Sequence, residues 1–127
     1  MTMRAVKTGG APAAIGPYSQ AIDVGELVFV AGQVGIDPAT GELVEGLEAQ
    51  SERALRNIVA SLDACGLTMG DVAKTTCLLA DIGHFAAFNE VYARFVGDPP
   101  PARATYAVAA LPRGALVEIE AVAARRR

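Results

Sequence analysis

Apolar residues recur at helical spacing along the longest patterned stretch of the chain. From Leu47 to Cys65 they fall mostly three or four positions apart, while charged residues such as Glu52 and Arg56 lie largely off the apolar stripe. This periodicity predicts an amphipathic helix over Leu47–Cys65. Gly66 follows at the point where a left-handed residue commonly ends a helix.

A second helical stripe runs between Asp81, a candidate N-cap, and Gly97. The prolines Pro99–Pro101 prevent any helix from continuing, because each removes a backbone donor and fixes φ. Core packing is the simplest interpretation of this aromatic stripe, ahead of a cofactor site. Its members are Phe85, Phe88, Tyr92, Phe95 and Val96.

Shorter apolar and β-branched runs predict strands. Gly25-Glu26 joins two of them as a tight hairpin, and Asp37–Glu42 has the residues of a turn. The element order βββ-α-β-α-ββ favours an α+β fold, with a mixed sheet of about six strands and two helices on one face, in a single domain over residues 1–127. The predicted strands are Met3–Thr8, Gln20–Val24, Leu27–Ala31, Val72–Leu79, Thr105–Val108 and Ala115–Ala124.

The last strand carries two carboxylates on one face. Alternation directs Val117 and Ile119 towards the helices, so Glu118 and Glu120 point away from them. If a second subunit covers that face, one carboxylate is partly desolvated, its pKa rises, and it can hold or pass a proton. The alternative is an exposed face whose charges discourage aggregation.

One arginine, Arg103, lies between two alanines directly after the three prolines. Small neighbours present its planar fork of donors, which suits a carboxylate gripped through two parallel bonds. The alternative is a strand-edge arginine paired with a surface acid. The local sequence leaves both interpretations open.

Composition and charge argue against several classes of function. The net charge of −3 disfavours a general nucleic-acid binder, which needs a basic stripe. His84 is the only histidine in the sequence. It argues against most zinc sites, and it excludes any Ser-His or Cys-His catalytic pair outside the second helix. The sequence contains no phosphate-binding loop, dinucleotide fingerprint or calcium loop. We therefore expect neither a cofactor nor a metal.

Cysteine usage and hydrophobicity bear on location and assembly. Cys65 and Cys77 do not form a disulfide framework, so we expect reduced thiols in a cytoplasmic protein. The sequence has no leader and no apolar run long enough to cross a bilayer, so neither secretion nor membrane insertion is expected. A hydrophobic content of 52% suggests that a partner subunit covers some apolar surface.

Six motifs stand out along the chain, at Ala11–Gln20, Val30–Gln33, Asp37–Glu42, Phe88–Tyr92, Pro100–Arg103 and Val117–Ala121. Together they resemble the RidA/YjgF/UK114 family of small trimeric imine deaminases over nearly the whole chain. The resemblance implies a chorismate-mutase-like fold and a homotrimer with clefts between subunits. It also implies hydrolysis of 2-imino or enamine acids to 2-oxo acids and ammonia, which protects other enzymes from reactive intermediates.

The resemblance also implies roles for individual residues. Arg103 matches the arginine that grips the substrate carboxylate, and Glu118 matches the acid that positions or activates water. Tyr18 and Asn89 match pocket residues, with Tyr18 near the imine end. Backbone groups at Gly32 and at residue 105 match those that help to hold the carboxylate.

Two positions depart from the family pattern. Ala31 stands where many active members have serine, which removes a hydroxyl that could orient substrate or water. Thr105 stands where many have cysteine, which keeps the backbone donor and changes only the side chain. We expect both changes to affect substrate preference and rate.

The sequence leaves three functions to be compared. The first is the deaminase, and the second is a non-catalytic module of the same fold that binds a 2-oxo acid or similar anion. The third is the ribonuclease or translation-inhibitor role attached to some relatives, which the negative charge and single histidine disfavour. The expected partners are a small imino or 2-oxo acid and two further copies of the chain.

Overall fold

The computed structural model describes residues 2–126 of the chain, which contain eight strands and two α-helices. Short 3₁₀ turns lie at Met69–Asp71, Ile82–His84 and Pro112–Gly114. The elements in chain order are β1 (Arg4–Val6), β2 (Ala21–Asp23), β3 (Leu27–Val34), β4 (Ile36–Asp37), β5 (Glu42–Leu43), α1 (Leu47–Asp63), β6 (Val72–Leu79), α2 (Phe85–Tyr92), β7 (Ala102–Ala107) and β8 (Val117–Ala124).

Six strands form one mixed sheet in the order β1-β2-β3-β8-β6-β7. All neighbours in it are antiparallel except β6 and β7, which are parallel. The predicted fold class, a mixed sheet of six strands with two helices, is confirmed. Strands β4 and β5 form a separate small hairpin around the predicted turn at residues 37–42. The sequence pattern predicted the turn without the two short strands that it joins.

The core lies between the helices and one face of the sheet. Along β8 the residues alternate, with Val117 and Ile119 fully buried and Glu118 and Glu120 on the opposite face. The predicted division of this strand is therefore confirmed. Each fully buried leucine or isoleucine side chain in such a core contributes about 1.5–3 kcal/mol relative to exposure.

Helix α1 is fixed to the sheet by polar contacts as well as by its apolar stripe. The amide of Asn57 donates to the carbonyls of Val34 and Ile36, over 3.2 and 2.9 Å. Gln50 accepts a hydrogen bond from the Leu116 amide at 2.8 Å, which ties the start of the helix to the approach to β8. At Gly35 any side chain would collide with the Gln50 backbone, so glycine allows this close approach.

Most element boundaries fall within a few residues of the prediction. Helix α1 begins at Leu47 as expected and ends two residues early, with Gly66 at φ 73° behind it. Helix α2 ends at Tyr92, well before the predicted stop at Gly97. His84 lies in the 3₁₀ turn that precedes α2, and not inside the helix.

Neither α-helix of residues 2–126 combines the length and the apolar run needed to cross a bilayer.

Candidate active site

A β-bulge in the centre of the sheet shapes one half of the candidate site. Between Val30 and Gln33 the register of β3 against β8 shifts, so that Ala31 and Gly32 together oppose a single residue. The bulge brings the backbone of Gly32 against the side chain of Glu118. A methyl group at Gly32 would overlap a carboxylate oxygen of Glu118, so only glycine fits here without displacing the acid.

Glu118 faces a cavity of about 540 Å³ on the side of the sheet away from the helices. Tyr18, Ala31 and Gly32 also line this cavity. The loop that ends at Tyr18 is the glycine- and proline-rich segment 9–17, which has no regular structure. Four of the predicted site residues therefore lie around one concave surface.

Glu118 is half-buried and has no hydrogen-bond or ion-pair partner among residues 2–126. Burial raises the pKa of its carboxyl group, and the neighbouring negative charge of Glu120 raises this pKa further. A carboxylate with a raised pKa accepts a proton more readily than an ordinary glutamate does. This position is suited to general-base chemistry.

Arg103 forms the other half of the candidate site, on β7 at the edge of the sheet. Its guanidinium lies over the rings of Tyr92, at 4.8 Å from the ring centroid, and of Phe85, at 5.4 Å. One guanidinium nitrogen donates to the side-chain oxygen of Asn89 at 2.8 Å. All three contacts come from helix α2, so Arg103 lies on the helix side of the sheet.

The positive charge of Arg103 is not neutralised within the described chain. No carboxylate of residues 2–126 lies within ion-pair distance of it, so the predicted alternative of pairing with a surface acid is absent from this part of the chain. By contrast, Arg56 also stacks on a ring, that of Phe95, and it pairs with Glu52 at 3.4 Å. Asn89 is neutral and accepts a single bond, which leaves the other guanidinium donors available to an anion.

Thr105 lies two residues after Arg103 on the same side of β7, in register with Cys77 of β6. Its hydroxyl oxygen is buried next to the Cys77 thiol. Burial raises the pKa of the neighbouring Cys77 thiol to about 11, so that thiol stays protonated at neutral pH.

The two halves lie on opposite faces of the sheet. Arg103 is in register with Thr75 of β6, whose side chain is buried beneath the helices. Glu118 is in register with Leu78, three residues further along the same strand and therefore on the opposite face. Tyr18, Ala31 and Gly32 lie with Glu118, whereas Asn89 and Thr105 lie with Arg103. A single chain does not present the two charged groups to one small ligand.

The sequence pattern missed two residues near the candidate site. Tyr92 contacts Arg103. The sequence feature that could have indicated this contact is its spacing of three residues from Asn89 and seven from Phe85, which places all three along one side of α2. Arg113 lines the cavity of Glu118 and donates to the carbonyl of Gly41 at 3.2 Å. The aromatic stripe is thus only partly core, because Phe85 is exposed.

Among residues 2–126, no group of three or more histidine, cysteine, aspartate or glutamate side chains is arranged to hold a metal ion.

The sequence and fold match known proteins over almost the full chain. A family model described as Endoribonuclease L-PSP matches residues 8–125. A 2-iminobutanoate/2-iminopropanoate deaminase of Mus musculus is 49% identical over 121 residues, which cover 94% of this chain and 90% of that protein. A crystal structure of RidA from an Antarctic Psychrobacter species superimposes with a TM-score of 0.94 at 46% identity, over 96% of this chain and 99% of the other.

The chain belongs to the RidA/YjgF/UK114 family. The resemblance inferred from the six motifs is confirmed. A crystal structure of E. coli TdcF with bound serine has a TM-score of 0.93 at 39% identity, over 97% of this chain and 99% of that chain. The deaminase name of the Mus musculus relative differs from the endoribonuclease description of the family model. Membership therefore establishes the fold, while these names do not specify one reaction.

Proposed function

We propose that this protein hydrolyses 2-imino acids and their enamine tautomers to 2-oxo acids and ammonia. The observation that carries the proposal is the Arg103 guanidinium, which is held in place by neutral groups and has no carboxylate partner in residues 2–126. Such a group is suited to the carboxylate that every 2-imino acid carries. The names of the mammalian relatives and the serine bound to TdcF, itself a small carboxylate, support the same assignment.

In the proposed reaction, Arg103 binds the substrate carboxylate while Glu118 activates one water molecule. The protonated imine is already electrophilic at its C2 carbon. Glu118 takes a proton from water as the water oxygen bonds to C2, and then returns that proton to the nitrogen. The C–N bond then breaks, and ammonia leaves with the electron pair. The hydroxyl group on C2 loses its proton to Glu118, which passes it to solvent, and the C2–O group becomes the carbonyl of the 2-oxo acid. Tyr18 lies beside this cavity and is proposed to orient the imine end.

Because Arg103 and Glu118 lie on opposite faces of the sheet, the proposed site is completed between two copies of the chain. The face that carries Glu118 also exposes large apolar side chains, including Leu27, Phe29 and Tyr106. An exposed apolar face of this kind marks an interaction surface. We propose a homotrimer with three equivalent clefts, as the family resemblance implies.

The direct test is Arg103→Ala, assayed on an imine generated in situ by an amino-acid oxidase. We expect kcat/KM for imine loss to fall by at least about 30-fold, because a charged substrate group loses its partner. Arg56→Ala is the matched control, since that arginine also stacks on a ring but already has a carboxylate partner. Its activity should stay within about twofold of the unmodified protein.

An Arg103→Ala variant that releases ammonia at the unmodified rate would refute the deaminase proposal. Cleavage of RNA by the purified protein, lost on the same substitution, would instead favour the activity that the family model's description names.

A second candidate function is a non-catalytic module that holds a 2-oxo acid in the same cleft. Ala31 motivates it, because this wall of the Glu118 cavity lacks the hydroxyl expected at that position in active relatives. This candidate predicts binding of 2-oxobutanoate without acceleration of imine loss. It fails if the purified protein turns over the imine.

A further inference from the structure

The Arg103 guanidinium lies over the aromatic ring of Tyr92, and the position of this ring is itself fixed. The ring of Tyr92 lies 4.8 Å from the guanidinium carbon, nearer than the exposed ring of Phe85 at 5.4 Å. Tyr92 itself is buried, with 6% of its surface exposed. The ring therefore contacts the arginine from the protein interior.

The Tyr92 ring is held at both ends. Its hydroxyl shares a hydrogen bond of 2.7 Å with the hydroxyl of Thr75, which is fully buried on strand β6. Its ring packs on Phe88, with ring centroids 5.5 Å apart and planes inclined by 41°. Burial also raises the pKa of the Tyr92 hydroxyl, so it remains a neutral phenol and adds no charge beside the arginine. The anchor on β6 is independent of helix α2.

We propose that Tyr92 is a positioning residue for Arg103, and that Thr75 fixes Tyr92 in the orientation this requires. An unsupported arginine side chain samples many rotamers, and ordering it on ligand binding costs conformational entropy. A ring face holds the planar guanidinium in one orientation, while Asn89 occupies only one of its donors. The remaining donors are thereby aimed in a fixed direction before a carboxylate arrives. This inference rests on the proposed role of Arg103 as the carboxylate clamp.

The test compares Tyr92→Leu, which removes the ring, with Tyr92→Phe, which keeps it. Binding of 2-oxobutanoate is measured by calorimetry, and KM and kcat are measured on the imine. For Tyr92→Leu we expect Kd and KM to rise about tenfold, with kcat changed less than about threefold. For Tyr92→Phe, Kd and KM should remain within about threefold of the unmodified protein, since the aromatic ring beneath the guanidinium is retained. Val91→Ala, the truncation of a buried side chain of the same helix that is not among the guanidinium contacts, controls for general destabilisation.

A double-mutant cycle separates positioning from a structural role. If Tyr92 acts through Arg103, then adding Tyr92→Leu to Arg103→Ala should lower kcat/KM little further. An undiminished effect of Tyr92→Leu in the Arg103→Ala background would overturn the inference. Unchanged 2-oxobutanoate binding by Tyr92→Leu alone would do the same.

A second pair of variants keeps the inference testable if Tyr92→Leu does not fold. Thr75→Val leaves the Tyr92 hydroxyl buried without a partner, and we expect 2-oxobutanoate binding to weaken several-fold as the ring moves. Adding Tyr92→Phe removes the unpaired hydroxyl but does not replace the anchor, so binding should recover to about the level of Tyr92→Phe alone, within about threefold of the unmodified protein. Absence of any weakening in Thr75→Val would contradict the role of the anchor. If the unmodified protein binds no 2-oxo acid at all, the carboxylate clamp of the proposed function fails, and the positioning role fails with it.

Discussion

Two regions of this molecule hold an acid and an arginine in opposite ways. At the corner formed by β2 and the end of β8, Arg125 makes two hydrogen bonds of 2.9 Å to the two carboxylate oxygens of Asp23. Arg4 adds a bond of 3.2 Å and the Gly25 amide another of 2.9 Å. Hydrogen bonds from Arg125 and from the Gly25 amide hold the pKa of Asp23 far below its usual range. Every charge at this corner is partnered.

In the candidate site, the glutamate and the arginine are separated by the sheet. Glu118 has no donor within residues 2–126, and burial raises the pKa of its carboxyl group. Within the same residues, the side chains that contact the Arg103 guanidinium are all neutral. Charges that neutralise each other contribute to stability and leave nothing for a ligand. Charges held apart, each on a rigid support, cost some stability and remain available for binding and proton transfer.

Glu118→Gln is the substitution expected to have the largest effect on activity. We expect kcat for imine hydrolysis to fall about 100-fold or more, because the amide cannot accept a proton from water. Binding of 2-oxobutanoate should change little, since the carboxylate clamp is intact. The melting temperature should stay the same or rise, because a partly desolvated charge is removed.

The pH profile sharpens this prediction. Because the pKa of Glu118 is raised, kcat/KM of the unmodified protein should fall on the acid side at a pH above the ordinary glutamate value of about 4.3. Glu118→Gln should lack this acid limb. A Glu118→Gln variant with unmodified kcat would mean that another group activates the water.

Asp23→Ala should show the reverse behaviour, with lower stability and nearly unchanged activity. We expect the melting temperature to fall by roughly 5–10 °C, because two arginines and a backbone amide lose their common partner. Glu52→Ala, which breaks an exposed pair with Arg56, is the matched control and should have little effect. Thermal unfolding followed by circular dichroism measures both.

The pH dependence of stability has a definite sign at this corner. A carboxyl group whose pKa is lowered by folding stabilises the protein above its unfolded pKa and loses this contribution as the pH falls. The unmodified protein should therefore lose stability from about pH 5 downwards, and Asp23→Ala should lose less over the same range. Equal acid sensitivity in the two proteins would assign the loss to other groups.

Ala31→Ser is expected to have the smallest effect. The added hydroxyl lies at the wall of the Glu118 cavity, where it can orient water or substrate. An increase in kcat of about two- to fivefold is expected, equivalent to one additional hydrogen bond. A decrease would show that the bulge at Ala31 does not accommodate the larger side chain.

The sequence predicted the elements of the fold better than their arrangement. Period and turn chemistry located α1 and β6, and alternation correctly divided the two faces of β8. These are local properties. The bulge that brings Gly32 to Glu118 depends on the pairing of β3 with a strand about ninety residues away, which no local pattern specifies.

The same limit applies to the candidate site. The sequence identified Arg103 and Glu118 separately, but their placement on opposite faces follows from the register of β6 with both β7 and β8. The partners of Asp23 include Arg125, which lies 102 positions away. Tyr92 was assigned to the core because burial is the usual fate of an aromatic stripe. Its additional contact with Arg103 depends on how α2 packs against β7.

The central claim is that each working site combines Arg103 from one copy of the chain with Glu118 from another. Mixing two inactive variants tests this claim most directly. Arg103→Ala and Glu118→Gln chains, co-expressed or refolded together, should regain activity that neither has alone. For random mixing into trimers, about one quarter of the sites would carry both intact residues. Recovery near that level supports the account. Mixed assemblies that are verified by mass spectrometry and remain as inactive as the separate variants would contradict it.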